Sequence, residues 1–125
     1  MLGVGSLLCG CVVSLVFYVH AEQLDRSLRI FKNGGGTSTV LIHGEADALM
    51  VDTKYRMFSR TVRSSVEGDL AARVRRIVLT HAHDDHAGGL ALYPAAGAVL
   101  VHPNTRKRLE AAGSRASYVE VVREL

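Results

Sequence analysis

Between Ile77 and Gly89 the sequence reads IVLTHAHDDHAGG, which places three of the chain's six histidines and two aspartates in six consecutive positions. The residues are His81, His83, Asp84, Asp85 and His86. Imidazole nitrogens with a carboxylate form the ligand set for zinc in a hydrolytic site, or for iron or manganese. If the preceding strand runs on through His83, then His81 and His83 stand at i and i+2 and point to one side. Two imidazoles so placed can share one cation. A turn at Gly88-Gly89 then lets Asp85 and His86 face a second point nearby. Two cations about 3.5–4 Å apart hold one hydroxide between them and polarise a carbonyl or phosphoryl oxygen. The plain alternative is a histidine-rich surface tract. Five defined positions at a strand end, in front of a glycine pair, favour the metal site.

These residues need a frame. Residues 28–31 read as a strand, ended by the turn cluster Asn33-Gly34-Gly35-Gly36. Residues 37–43 and 48–51 read as two more strands, joined at Gly44-Glu45, with Asp52 closing the second. The three form an antiparallel meander. Phe58, Val62, Val66 and Leu70 recur at i, i+4, a helical stripe whose other faces carry Arg60, Arg63, Glu67 and Asp69. Residues 74–79 form the strand that delivers the histidines. Residues 90–93 read as a helical turn stopped by Pro94, and residues 98–101 as a strand. Residues 103–112 read as a helix that starts at Pro103 and stops at Gly113. The tail, residues 118–125, has no assignable type. Alternation of strands and helices gives an α/β layered domain, expected over residues 24–125.

Residues 1–19, MLGVGSLLCGCVVSLVFYV, carry no charge, and polarity returns abruptly in HAEQLD. An apolar run closed by Val19-His20-Ala21 has the small-residue ending of a secretory signal, so residues 1–21 read as a signal peptide cut after Ala21. A run near the ~20 residues of a membrane span also suits an uncleaved N-terminal anchor. Leu8-Cys9-Gly10-Cys11 weakly resembles a lipoprotein box. All three readings place the domain in the periplasm or secreted, touching membrane only through residues 1–19. Cys9 and Cys11 are the only cysteines. The rest of the chain therefore has no disulfide framework, no Cys-based zinc site and no thiol nucleophile. The net charge of +3 comes from arginines spread along the chain, so no nucleic acid partner is expected. No G-x-S-x-G is present, which excludes a hydrolase nucleophile elbow. Gly34-Gly35-Gly36 lacks the Lys and helix of a phosphate loop and reads as a hairpin turn. Arg106-Lys107-Arg108 reads as a solvated helix face.

The order His81, His83, Asp85, His86 at a strand end resembles the H-x-H-x-D-H signature of the metallo-β-lactamase fold superfamily. NGGGTSTVLI resembles that family's first hairpin. ALMVDTKY resembles its strand ending in an aspartate, here Asp52, a position that in the family lies behind the metal site. GAVLVHPNTRKRL resembles the strand and helix after the motif. The resemblance covers roughly residues 28–109. It implies that His81 and His83 bind a first metal and that Asp85 and His86 bind a second. Asp85 would also take up a proton during turnover, the catalytic role assigned to it. A complete member holds two Zn2+ ions, with iron or manganese as alternatives. Asp84 falls at a variable position and reads as solvated. Asp52 reads either as an acceptor for a ligand histidine or as a polar strand end.

The family takes three further ligands from its later half: two histidines and a bridging aspartate. After His86 this chain has one histidine, His102, and no aspartate. His102 reads as a partly buried, hydrogen-bonded side chain rather than a ligand. The fold the resemblance implies is therefore α/β, the N-terminal αββα half of a metallo-β-lactamase-like fold, preceded by an apolar signal or anchor helix and truncated at its C-terminal side. A missing C-terminal half or a partner chain would complete it and cover the sheet face left bare. The 125 residues alone are expected to bind metal weakly and turn over little.

The implied function is a dizinc hydrolase of a small ester, lactone, thioester or β-lactam amide. A metal-bound hydroxide attacks the carbonyl, and Asp85 or water handles the proton. Iron in the same ligands would instead give an oxidoreductase, such as a sulfur dioxygenase. A non-catalytic metal-binding fragment is the third reading. A nuclease of the same superfamily fits poorly with an export signal and modest charge.

Overall fold

Alternation along the strands decides the architecture. In β3 (Thr39–His43), Thr39 and Leu41 are buried while Val40 and Ile42 are not. In β4 (Asp47–Val51), Ala48 and Met50 are buried and the residues between them are not. Successive side chains leave a strand on opposite faces, so each strand gives one face to the core. The computed structural model describes residues 18–113 and 122–124.

Among the described residues, seven strands form one sheet in the order β1-β2-β3-β4-β5-β6-β7. β1 (Val19–Gln23), β2 (Leu28–Asn33), β3 and β4 pair antiparallel. This is the meander read from the sequence, with one strand added in front. β5 (Arg73–Val78), β6 (Ala98–Val101) and β7 (Val122–Glu124) continue the sheet in parallel. Parallel neighbours need a crossover, and α1 (Arg56–Gly68) supplies it between β4 and β5. The stripe Phe58, Val62 and Val66 is buried in one core with Leu41, Met50, Ile77 and Val99. Each such side chain contributes on the order of 1.5–3 kcal/mol of burial. α2 (Asp84–Ala87), a 3-10 turn at Leu90–Leu92 and α3 (Pro103–Ala111) follow β5 and β6.

The opposite sheet face has no cover among the described residues. Ile30, Val40, Val51, Val78 and Leu100 form one cross-strand row. Leu28, Ile42, Leu49, Arg76 and Ala98 form the next. None of them is buried, and Ile42 is half exposed.

The N-terminal reading meets the described structure at β1. The cut expected after Ala21 falls inside β1, where Val19 and Ala21 pair with Asn33 and Phe31, and Val19 is buried. The apolar content of Val19 serves the core here. The expected signal or anchor helix and its two cysteines otherwise lie outside the described residues. Among the described residues, no helix is long and apolar enough to cross a membrane. β7 comes from the untyped tail; three residues are too few to show a period.

Candidate metal centre

β5 ends at Val78, before the first histidine of the cluster. The strand read over residues 74–79 is found one residue earlier, and the condition that it run on through His83 is not met. The ladder persists for one more residue, where the Leu79 amide donates to the Leu100 carbonyl at 3.1 Å. It then breaks, because the Thr80 amide donates to Asp52 Oδ1 at 2.9 Å instead of to a neighbouring strand. The chain turns at Thr80–His83, and α2 begins directly after His83.

The turn still gathers the side chains. The His81 and His83 rings lie 4.7 Å apart, edge to face. The His81 and His86 rings lie 3.9 Å apart. His81, Asp85 and His86, all half-buried, each offer one ligand atom, and these lie within 4.8 Å of one another. His83 is exposed and stands beside this group rather than in it. The group crosses the division into a His81/His83 pair and an Asp85/His86 pair. Asp84 is exposed, as expected of a variable position. His102 is exposed rather than partly buried. Its Nδ1 accepts from the Asn104 amide at 3.1 Å, so it caps α3 and is not in the group.

Hydrogen bonds settle which nitrogens are free. Asp52 is buried, and its Oδ2 accepts from His86 Nδ1–H at 2.7 Å. With that nitrogen protonated, neutral His86 carries its lone pair on Nε2. Thr80 Oγ1 donates to Asp52 Oδ2 at 2.8 Å, so at its 3.0 Å contact with His81 it accepts from Nδ1–H. His81 also presents Nε2. Asp85 Oδ2 faces His86 Nε2 at 3.3 Å. Two acceptors at that distance repel unless a proton or a cation lies between them. Ligands around one tetrahedral zinc at about 2.0–2.1 Å are separated by roughly 3.3–3.5 Å. The residues therefore fit a divalent ion.

The backbone of the metal loop is held from below. Thr53 donates to the His86 carbonyl through its amide at 2.6 Å and through its hydroxyl at 2.9 Å. The Gly89 amide donates to Thr53 Oγ1 at 3.1 Å and to the Lys54 carbonyl at 2.9 Å. A Cβ on Gly89 would lie 2.2 Å from Ser59 Oγ and 2.4 Å from the Thr53 carbonyl. Close approach to α1, not a left-handed turn, explains this glycine. Thr53 and Thr80 were not singled out by the sequence. The only signal was their place next to Asp52 and His81.

The family model described as the metallo-beta-lactamase superfamily matches residues 33–123. The chain belongs to that superfamily. Among solved structures, a metallo-beta-lactamase from Erythrobacter litoralis, crystallised with beta mercaptoethanol in the active site, is similar at 27% identity. The TM-score is 0.65, over 76% of this chain and 46% of that one. The metallo-beta-lactamase FIM-1 from Pseudomonas aeruginosa, in its mono-zinc form, shares the fold at 17% identity and TM-score 0.65, over 76% and 46%. One from Hirschia baltica does so at 19% and 0.63, over 76% and 48%. This superfamily member thus spans about half the length of the solved structures it matches. No curated protein sequence matches it. The metallo-beta-lactamase half-sheet brings Asp52, Thr80, His81, Asp85 and His86 to one edge, at the C-terminal ends of β4 and β5.

Proposed function

We propose that this chain supplies the histidine-rich half of a zinc-dependent hydrolase acting on a small ester, lactone, thioester or β-lactam amide. The observation that carries this reading is the grouping of His81, Asp85 and His86, whose ligand atoms lie within 4.8 Å of one another, with His86 oriented by Asp52. His81, His83, Asp85 and His86 would hold the metal, zinc in the first place and two ions in the complete centre. When bound, zinc supplies Lewis-acid activation of water and of the scissile carbonyl. Asp85 is half-buried beside that point, placed to bind through one oxygen and take a proton through the other. Asp52 and Thr80 hold the two imidazoles as Nδ1–H tautomers.

A second layer is part of the proposal. The apolar rows through Val40 and Ile42 need cover, and that layer would bring the remaining ligands and the substrate pocket. The uncharged run of residues 1–19, whose last residue Val19 pairs in β1, supports export to the periplasm or beyond, with the part before β1 as signal or anchor.

The test is metal analysis of the natural full-length protein as purified, followed by a panel of lactone, thioester and β-lactam substrates. Zinc with turnover that a chelator abolishes supports the reading. Stoichiometric iron with no hydrolysis would replace it by the oxidoreductase. Absence of any bound metal would leave only a non-catalytic module.

A further inference from the structure

Lys54 takes no part in the chemistry above, yet it is fully buried. Its backbone sits at φ 62°, where a long side chain is rarely found. Burial pushes its ammonium down to about 8. Among the described residues no carboxylate accepts from it. Its Nζ donates instead to two carbonyls, that of Asn33 at 2.8 Å and that of Thr37.

Those carbonyls bracket the turn between β2 and β3. Inside the bracket, Gly34, Gly35 and Gly36 all have positive φ. Such a run has little stiffness of its own, so its shape depends on what holds its ends. On its far side, Thr37 Oγ1 donates to the Asp85 carbonyl at 3.0 Å. Lys54 also meets the metal loop directly, its carbonyl accepting from the Gly89 amide at 2.9 Å. One residue therefore touches the loop near both ends of α2, once through the turn and once through its backbone.

A buried ammonium facing only neutral carbonyls is a poor way to stabilise a fold. A methionine of similar length would fill the same space without the desolvation cost. The ammonium's distinctive effect is to draw two carbonyls of one flexible turn together. Resting on the metal-centre reading above, we propose that Lys54 is a positioning residue for that centre. Its ammonium clamps the Asn33–Thr37 turn so that Thr37 fixes the backbone of Asp85.

The test uses Lys54→Met in the full chain. Co2+ affinity is read from the absorbance of bound cobalt, and amide hydrogen exchange is read at residues 34–38 and 84–87. Expected are Co2+ binding at least tenfold weaker, faster exchange in both segments, and an unchanged or higher Tm. The control Val62→Ala lowers Tm through a core cavity and leaves Co2+ affinity unchanged. A Lys54→Met chain that binds Co2+ as the parent does, or weakens no more than Val62→Ala, overturns the proposal. Should Lys54→Met not fold, Thr37→Val removes the hydroxyl that reaches Asp85; undiminished Co2+ affinity there overturns it equally. A parent chain that binds no Co2+ refutes the metal reading instead. The exchange data then decide alone, and unchanged exchange at residues 84–87 ends the proposal.

Discussion

Oδ2 of Asp52 lies 2.7 Å from Nδ1 of His86, across 34 residues of sequence. The same oxygen takes the Thr80 hydroxyl at 2.8 Å, and its partner oxygen takes the Thr80 amide at 2.9 Å. One buried carboxylate therefore ends the β5 ladder and aims an imidazole. It does so from φ 60°, a conformation that aspartate and asparagine tolerate better than other residues.

That pairing predicts different outcomes for two substitutions. Asp52→Asn keeps the backbone tolerance but cannot accept at both oxygens. It is expected to fold and to bind zinc 10–100-fold more weakly, measured by competition with a chromogenic chelator. Asp52→Ala adds backbone strain of about 1 kcal/mol, seen as a lower urea midpoint. Zinc affinity in Asp52→Asn within twofold of the parent would show that His86 does not depend on this carboxylate.

Two glycines, Gly89 packed against the first turn of α1 and Gly68 at its last residue, separate close approach from conformational freedom. Gly89→Ala forces a methyl to within 2.2 Å of Ser59 Oγ, itself bonded to the buried Tyr93 hydroxyl at 3.0 Å. A stability loss of about 2–3 kcal/mol is expected. Gly68→Ala meets nothing within 4 Å and sits at the helix end. It is expected to gain about 0.5–1 kcal/mol. Urea unfolding of both variants checks the contrast, and equal effects would contradict the packing described.

Lys54 and Tyr93 give stability a pH dependence of opposite signs. The Lys54 amine lies near 8 when folded, below its ordinary 10.5, because burial disfavours the ammonium. Between those values the unfolded chain binds more protons, so stability rises with pH, by at most about 1.4 kcal/mol per unit. Burial raises the Tyr93 phenol from 10.0 to about 12. Its contribution is fully present below pH 10 and is lost as pH climbs from 10 towards 12. Urea midpoints are therefore expected to rise from pH 8 to 10 and to fall above 10.5, where only the Tyr93 loss continues. The rise should vanish in Lys54→Met; its persistence there would assign it to another group.

Much of the frame was legible because it depends on local periods. The i, i+4 stripe of Phe58, Val62 and Val66 can bury itself only as a helix. The alternation in residues 39–43 and 47–51 can bury one face only as strands. β1 was not legible, since an apolar residue such as Val19 looks the same in a targeting segment and in a core strand. The break before the histidines was not legible for a different reason. Nothing near Thr80 in sequence announces that Asp52 will take its amide.

The sequence by itself determined that a cluster of candidate metal ligands exists and which residue types it offers, because ligand chemistry and close spacing are local properties. It also determined the superfamily, whose model matches residues 33–123. Only the tertiary structure decided how the ligands are aimed. The tautomers of His81 and His86, the requirement for Gly89 and the burial of Lys54 all depend on groups brought together across the sheet. A hydrogen bond needs two atoms about 3 Å apart, and spacing along a chain does not specify that distance for residues tens of positions apart.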